Sequence, residues 1–150
     1  MKNLFCFFFL FASLFVHAQQ TNFKNLIEKD GKIGIGTSNP DELLTVKGTI
    51  HTQEVQVDLK GAVAPDYVFE KYFTGNSEAL PSYEFPTLEQ IENFIKENHH
   101  LPKIPSAKEM EKEGMALKEM NLLLLEKIEE LTLHVIRLQK EIDELKENQF

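Results

Sequence analysis

Residues 117–145 read LKEMNLLLLEKIEELTLHVIRLQKEIDEL, and their spacing decides the fold. With Leu117, Leu124, Leu131, Leu138 and Leu145 at heptad position d, Asn121, Ile128, Val135 and Ile142 fall at a. Every d is Leu, and every a except Asn121 is β-branched, which is the pattern of a parallel coiled coil. Leu125 at e widens the apolar stripe beyond a strict a/d seam. Position f carries Glu126, Lys140 and Glu147, with Leu133 as the exception, and b carries Glu129, so this side is expected to face solvent. Asn121 would sit at the axis and set the register at some cost in stability. Glu141 at g and Lys146 at the following e would pair between chains. One amphipathic helix on a globular core is the alternative, but no earlier segment offers an apolar face large enough to cover the stripe.

Upstream, punctuation marks two shorter helices. Thr87 with Gln90, and Ser106 with Glu109, are capping boxes, in which each N-cap hydroxyl and third-residue side chain satisfy each other's backbone donors. Leu88, Ile91, Phe94 and Ile95 follow the first at helical spacing, with Asn98 at its end. Pro102 and Pro105 hold the loop between the two helices, and Gly114 stops the second. Gly61 to Phe85 reads as a connector with one apolar stretch, Ala64 to Phe69. Tyr67, Phe69, Tyr72 and Phe73 are its candidates for an exposed ligand-binding patch, although hydrophobic packing is the commoner fate of such side chains.

Further upstream the period changes to two. Asp30-Gly31 is a turn signal after a polar lead-in, Thr21 to Asp30. Lys32 to Thr37 alternates, with Ile33 and Ile35 on one face, and Leu44, Val46, Gly48 and Ile50 form a second such face. Val55, Val57 and Leu59 make a third strand-like piece. Faces this narrow cannot bury enough surface to stand alone in water, and copies from several chains set against one another would remedy that.

The first residues form an export signal. Lys2 supplies the charge, Leu4 to Val16 the apolar run, and Val16-His17-Ala18 the cleavage site, expected after Ala18. The run is short for a membrane span of about 20 residues. Cleavage would remove Cys6, the sole cysteine, so nothing in the exported part could form a disulfide. Acidic residues outnumber basic ones, 24 against 16, which argues against nucleic acid and anionic membranes as partners.

Chemistry is sparse. His99-His100 has no third ligand in sight for zinc. Ile33-Gly34-Ile35-Gly36 has no third glycine and no helix after it, so it does not read as a dinucleotide loop. Glu129, Glu130 and Glu141 read as helix-face charges, and no serine or cysteine sits in a nucleophile motif. No catalytic residue, cofactor or metal is expected.

The stretch Lys32 to Pro40, followed by Leu43 to Ile50, resembles the IGIGT-x-x-P and L-x-V-x-G-x-I repeat of phage tail-fibre and related bacterial surface proteins. Pro65 to Phe69, His100 to Ser106, Glu119-Met120-Asn121 and Leu124 to Leu133 are together similar to the endosialidase-type intramolecular chaperone segment that ends many fibres. The resemblance implies a parallel homotrimer in which strands of three chains wind together and a helical bundle aligns them. A fast, local coiled coil would suit slow inter-chain strand pairing. Self-cleaving members cut at a Ser-Asp step. Here Ser38, Ser77, Ser82 and Ser106 precede Asn, Glu, Tyr and Ala, so self-cleavage is not expected.

The expected molecule is therefore α+β and an elongated homotrimer. It comprises a signal peptide (1–18), a short β fibre-like region (19–60), a connector (61–85), short helices with a proline loop (86–115) and a coiled coil (116–150). Its expected role is structural, in assembling a secreted or cell-surface fibre, with itself as partner and no stable membrane insertion after signal removal. A self-processing chaperone or a small adhesin is the alternative. The a/d pattern alone favours a dimer. Leu125 and the resemblance favour three chains.

Overall fold

The computed structural model describes residues 23–148. The expected signal, with its expected cleavage residue Ala18, lies outside them. The chain is α+β, with a three-stranded sheet and, among the described residues, four helices of which the last is long. It divides into two compact units, one ending at Val55 and the other beginning at Gln56.

In the first unit, β1 (Leu26–Lys29), β2 (Lys32–Ile35) and β3 (Leu44–Val46) lie in that order. Asp30 and Gly31 both take left-handed φ, 53° and 77°, which is the backbone a tight antiparallel hairpin needs. They set Lys29 opposite Lys32. The turn was legible in the sequence. The strand before it was not, because Leu26-Ile27-Glu28-Lys29 lacks alternation and every residue of it is exposed. β2 and β3 run parallel, with Ile33 opposite Leu44 and Ile35 opposite Val46.

Two glycines make that short parallel return possible. A Cβ at Gly34 would lie 2.4 Å from the Thr37 carbonyl oxygen, and one at Gly36 (φ 71°) 2.9 Å from that of Lys47. The Gly-x-Gly pair thus has a steric reason that involves no phosphate. Thr45 Oγ1 fastens the turn into β3, donating to Asp41 Oδ1 at 2.6 Å and accepting from the Asp41 and Glu42 amides. The buried positions of the sheet are Gly34 and Thr45. The opposite, apolar face, with Leu26, Ile33, Ile35 and Leu44, stands exposed. β3 stops at Val46, short of Ile50. No strand forms at Val55–Leu59, where the apolar side chains are exposed and no sheet edge is paired with them.

In the second unit, the presumed connector holds a helix, α1 (Tyr67–Thr74). Gly75 ends it in the left-handed conformation, its N–H donating to the Lys71 carbonyl. Its eight residues show too few turns for a clear helical period in sequence. Both capping boxes form as expected. Thr87 and Gln90 open α2 (Leu88–Asn98), and Ser106 and Glu109 open α3 (Ala107–Glu113), which Gly114 ends. The long helix α4 runs Leu117–Glu147. Its core partners are Tyr67, Val68 and Tyr83, packed with Leu133 and flanked by Phe69, Tyr72, Leu80 and Phe85. Buried Ser77 shapes the return from α1 to Tyr83, donating to Glu70 Oε2 at 2.6 Å and accepting from the Leu80 amide. Of the four candidate patch aromatics, Tyr67 is buried, Phe69 and Tyr72 are half-buried, and Phe73 is exposed.

Candidate functional site

The two faces of α4 differ in what covers them. Glu126, Glu129, Glu130, Leu133 and His134 are all buried within the single chain. Heptad assignment had placed Glu126 and Leu133 at f, and Glu129 at b, on the solvent side. The structure corrects this: segment 67–85 packs on that side, with Leu133 only 1 % exposed against Tyr67, Val68 and Tyr83. The apolar stripe that no upstream segment was expected to cover stays bare, and segment 67–85 covers the opposite side of the helix. Tyr67, Val68 and Tyr83, flanked by Phe69, Tyr72, Leu80 and Phe85, suffice for one flank.

Carboxylates enter that flank with partners. Glu126 accepts from the Tyr67 hydroxyl, from Lys103 Nζ at 2.7 Å and from Lys127 Nζ at 2.9 Å. Glu130 accepts from the Tyr83 hydroxyl at 3.0 Å and from Lys127 Nζ at 2.8 Å. Lys103 holds left-handed φ (67°) in the proline loop, and its ammonium lies 5.0 Å from the centre of the Tyr83 ring. Burial by itself would raise the Glu126 pKa, but the hydrogen bonds from Lys103, Tyr67 and Lys127 outweigh it and hold it at about 2. Burial, followed by the Glu126 hydrogen bond and charge, pushes the Tyr67 hydroxyl up; burial and Glu130 do the same to Tyr83. The cluster joins the carboxyl groups of Glu126 and Glu130 to the side-chain nitrogens of Lys103 and Lys127 and to two phenols. A carboxylate this firmly ionised is a poor general base. The arrangement joins the proline loop, α1 and the Tyr83 loop to one helix.

Two groups break the pattern. Glu129 Oε2 and both ring nitrogens of His134 are buried without a hydrogen-bond partner among the described residues. Burial, then Asp66 and Glu126, raise the Glu129 pKa. Burial, then Arg137, lower that of His134, whose ring lies 4.7 Å from the Phe85 ring centre.

Tyr83, Lys103 and the inner role of Glu126 and Glu130 were not legible from local spacing in the sequence. A signal was present. Leu133 interrupts the polar f positions, and Glu126, Glu130, Leu133 and His134 recur at helical spacing as a second stripe.

The other face is bare. Leu117, Leu124, Leu125, Ile128, Leu131, Val135, Leu138, Ile142 and Leu145 are all exposed, Ile128 at 59 % and Leu131 at 61 %, and Asn121 is exposed among them. The structure thus gathers every residue expected of the seam into one uncovered stripe. Along its edge runs an apolar groove of about 370 Å³. Leu88, Ile91, Leu101 and Pro102 form one wall, and Leu124, Ile128, Leu131 and His134 line the other.

His99 caps α2 in the left-handed conformation, with φ 60°. His100 contacts the Leu101 carbonyl at 3.0 Å and stacks edge-on against Phe94. Among the described residues no group of three or more His, Cys, Asp or Glu is placed to hold a metal, and no helix is long and apolar enough to cross a membrane. Comparison with family models, curated proteins and solved structures gives no match to this chain.

Proposed function

We propose that this chain is a structural assembly protein that acts through parallel homotrimerisation of α4, exported and freed of its signal at Ala18. The reading rests on one observation. The a and d residues of α4 are exposed in the single chain while the reverse face of the same helix is packed and hydrogen-bonded. Fully burying one such Leu, Ile or Val stabilises by roughly 1.5–3 kcal/mol. A contiguous stripe of them left in water marks an interaction surface, and its heptad period fits a second helix of the same kind. The exposed apolar face of the sheet points the same way. Leu26, Ile33, Ile35 and Leu44 need cover that their own sheet does not give. The tail-fibre and intramolecular-chaperone resemblance adds the number three and a role in aligning chains of a secreted or surface fibre.

Light scattering on the purified protein tests this. Three times the single-chain mass is the expected result. A particle of one chain mass at micromolar concentration would remove the proposal, and a clean dimer would remove the trimer while leaving the coiled coil.

A further inference from the structure

The groove between α2 and α4 raises a question that the seam does not answer. Leu88, Ile91, Leu101 and Pro102 belong to no heptad, yet they stand beside Leu124 and Leu131 and extend the apolar stripe sideways. Leu88 and Leu101 are exposed at 47 % and 40 %. The groove lies along the g flank of α4, where Lys127 and His134 line it. In a parallel coil, each g residue faces the e residue five positions later on the neighbouring helix.

That rule pairs this chain with itself without conflict. Met120 meets Leu125, apolar with apolar. Lys127 meets Thr132. His134, which lines the groove, meets Gln139, polar with polar. Glu141 meets Lys146, opposite in charge. An antiparallel partner would set g against g and lose both polar matches. The exposed e flank, with Leu125 at 41 %, is the apolar ridge such a groove requires.

We infer that the α2–α4 groove is a docking site for a second copy of this chain, receiving the e flank of its α4 around Leu125 and Thr132. The interface is then wider than a two-helix seam. The α2 helix and proline loop of one chain clamp the α4 of the next, so each chain contributes a groove on one side and a ridge on the other. Such heterologous contacts close into a ring when the rotation from one copy to the next divides a full turn. This inference rests on the self-association proposed above, and the two can fail separately.

The test uses the full chain carrying Leu88→Glu or Leu101→Glu, both at positions off α4 and exposed in the single chain, so that the fold of each variant is retained. Circular dichroism checks that retention. Sedimentation should show the association constant lowered by at least about tenfold in each variant, and Gln139→Ala should lower it less. A wild-type oligomer that Leu88→Glu and Leu101→Glu leave unchanged would overturn the groove and spare the seam. A wild-type monomer would overturn both.

Discussion

The inner and outer faces of α4 present opposite solutions to the same requirement. The inner face carries Glu126, Glu129, Glu130 and His134, yet it is the buried one; the outer face carries Leu, Ile and Val, yet it is the exposed one. Polarity therefore does not predict burial on this helix. Glu126 and Glu130 are buried with Tyr67, Tyr83, Lys103 and Lys127 supplying donors for them. A buried charge is tolerated when it is paired and hydrogen-bonded. The outer residues find no such cover within the described part of their own chain. One helix thus packs under a small aromatic cap on one side and leaves the other uncovered among the described residues.

The comparison breaks most severely at Glu126. Glu126→Ala would leave Tyr67, Lys103 and Lys127 facing a hole, and chemical denaturation should show a loss of about 3–5 kcal/mol, the range for removing one member of a buried ion pair. The same group sets an acid limit. Its folded pKa of about 2 lies below its ordinary 4.5. Its contribution is therefore complete above pH 4.5 and disappears as the pH falls towards 2. A stability-versus-pH curve should show that decline in the parent chain and lose this part of it in Glu126→Gln.

Paired alanine substitutions sharpen the contrast between faces. Leu133→Ala and Leu131→Ala each remove a core-sized side chain, and each should cost about 2–5 kcal/mol where the site is buried. The two should differ in concentration dependence. Leu133→Ala weakens the chain at every protein concentration. Leu131→Ala, and likewise Leu138→Ala, acts by shifting assembly, so dilution exposes it. Leu131→Ala should be nearly silent, within about 0.5 kcal/mol, in a protein held monomeric. Equal and concentration-independent losses at Leu131 and Leu133 would mean that the two faces are not different in kind.

Glu129 gives a smaller effect of opposite sign. Heptad position b implied a solvent-exposed residue indifferent to substitution. The structure buries it with Oε2 unpartnered among the described residues. Its folded pKa is raised by burial, then by Asp66 and Glu126, so its stabilising contribution is greatest at low pH and is lost as the pH rises through the folded value. Glu129→Gln should therefore stabilise at neutral pH by roughly 1–2 kcal/mol, because it removes an unpaired buried charge while keeping the side chain's shape. The gain should shrink as the pH falls below 4.5, where the wild-type carboxyl is protonated in both states. The smallest expected effect lies away from both faces. Thr87→Ala removes the hydroxyl that accepts from the Gln90 amide at 3.2 Å and should cost about 1 kcal/mol.

Local chemistry made several features legible in advance. The two capping boxes and the Asp30-Gly31 turn need only neighbouring residues, so spacing in sequence is enough to find them. The heptad of α4 is legible for a related reason, since a long regular helix converts position in sequence directly into position on a face. α1 and β1 were not legible. Each is short, and each owes its conformation to a partner elsewhere: α1 to Leu133 across the aromatic core, β1 to the edge of β2 across the hairpin. The strand expected at Val55–Leu59 shows the converse, because alternation without a paired edge does not make a strand there.

By itself, then, the amino-acid order determined where α2 and α3 start and stop and which residues of α4 form one apolar stripe. Tertiary structure alone decided that the reverse of that helix is covered by the rest of the chain. No rule of local spacing brings Tyr67, Tyr83 and Lys103 to Glu126 and Glu130, because those contacts close loops of dozens of residues. Their hydrogen bonds offset the cost of burying charge only once the loops are closed. Heptad periodicity records what a helix offers to a partner of its own kind, whereas the cover on its other side depends on where the rest of the chain returns.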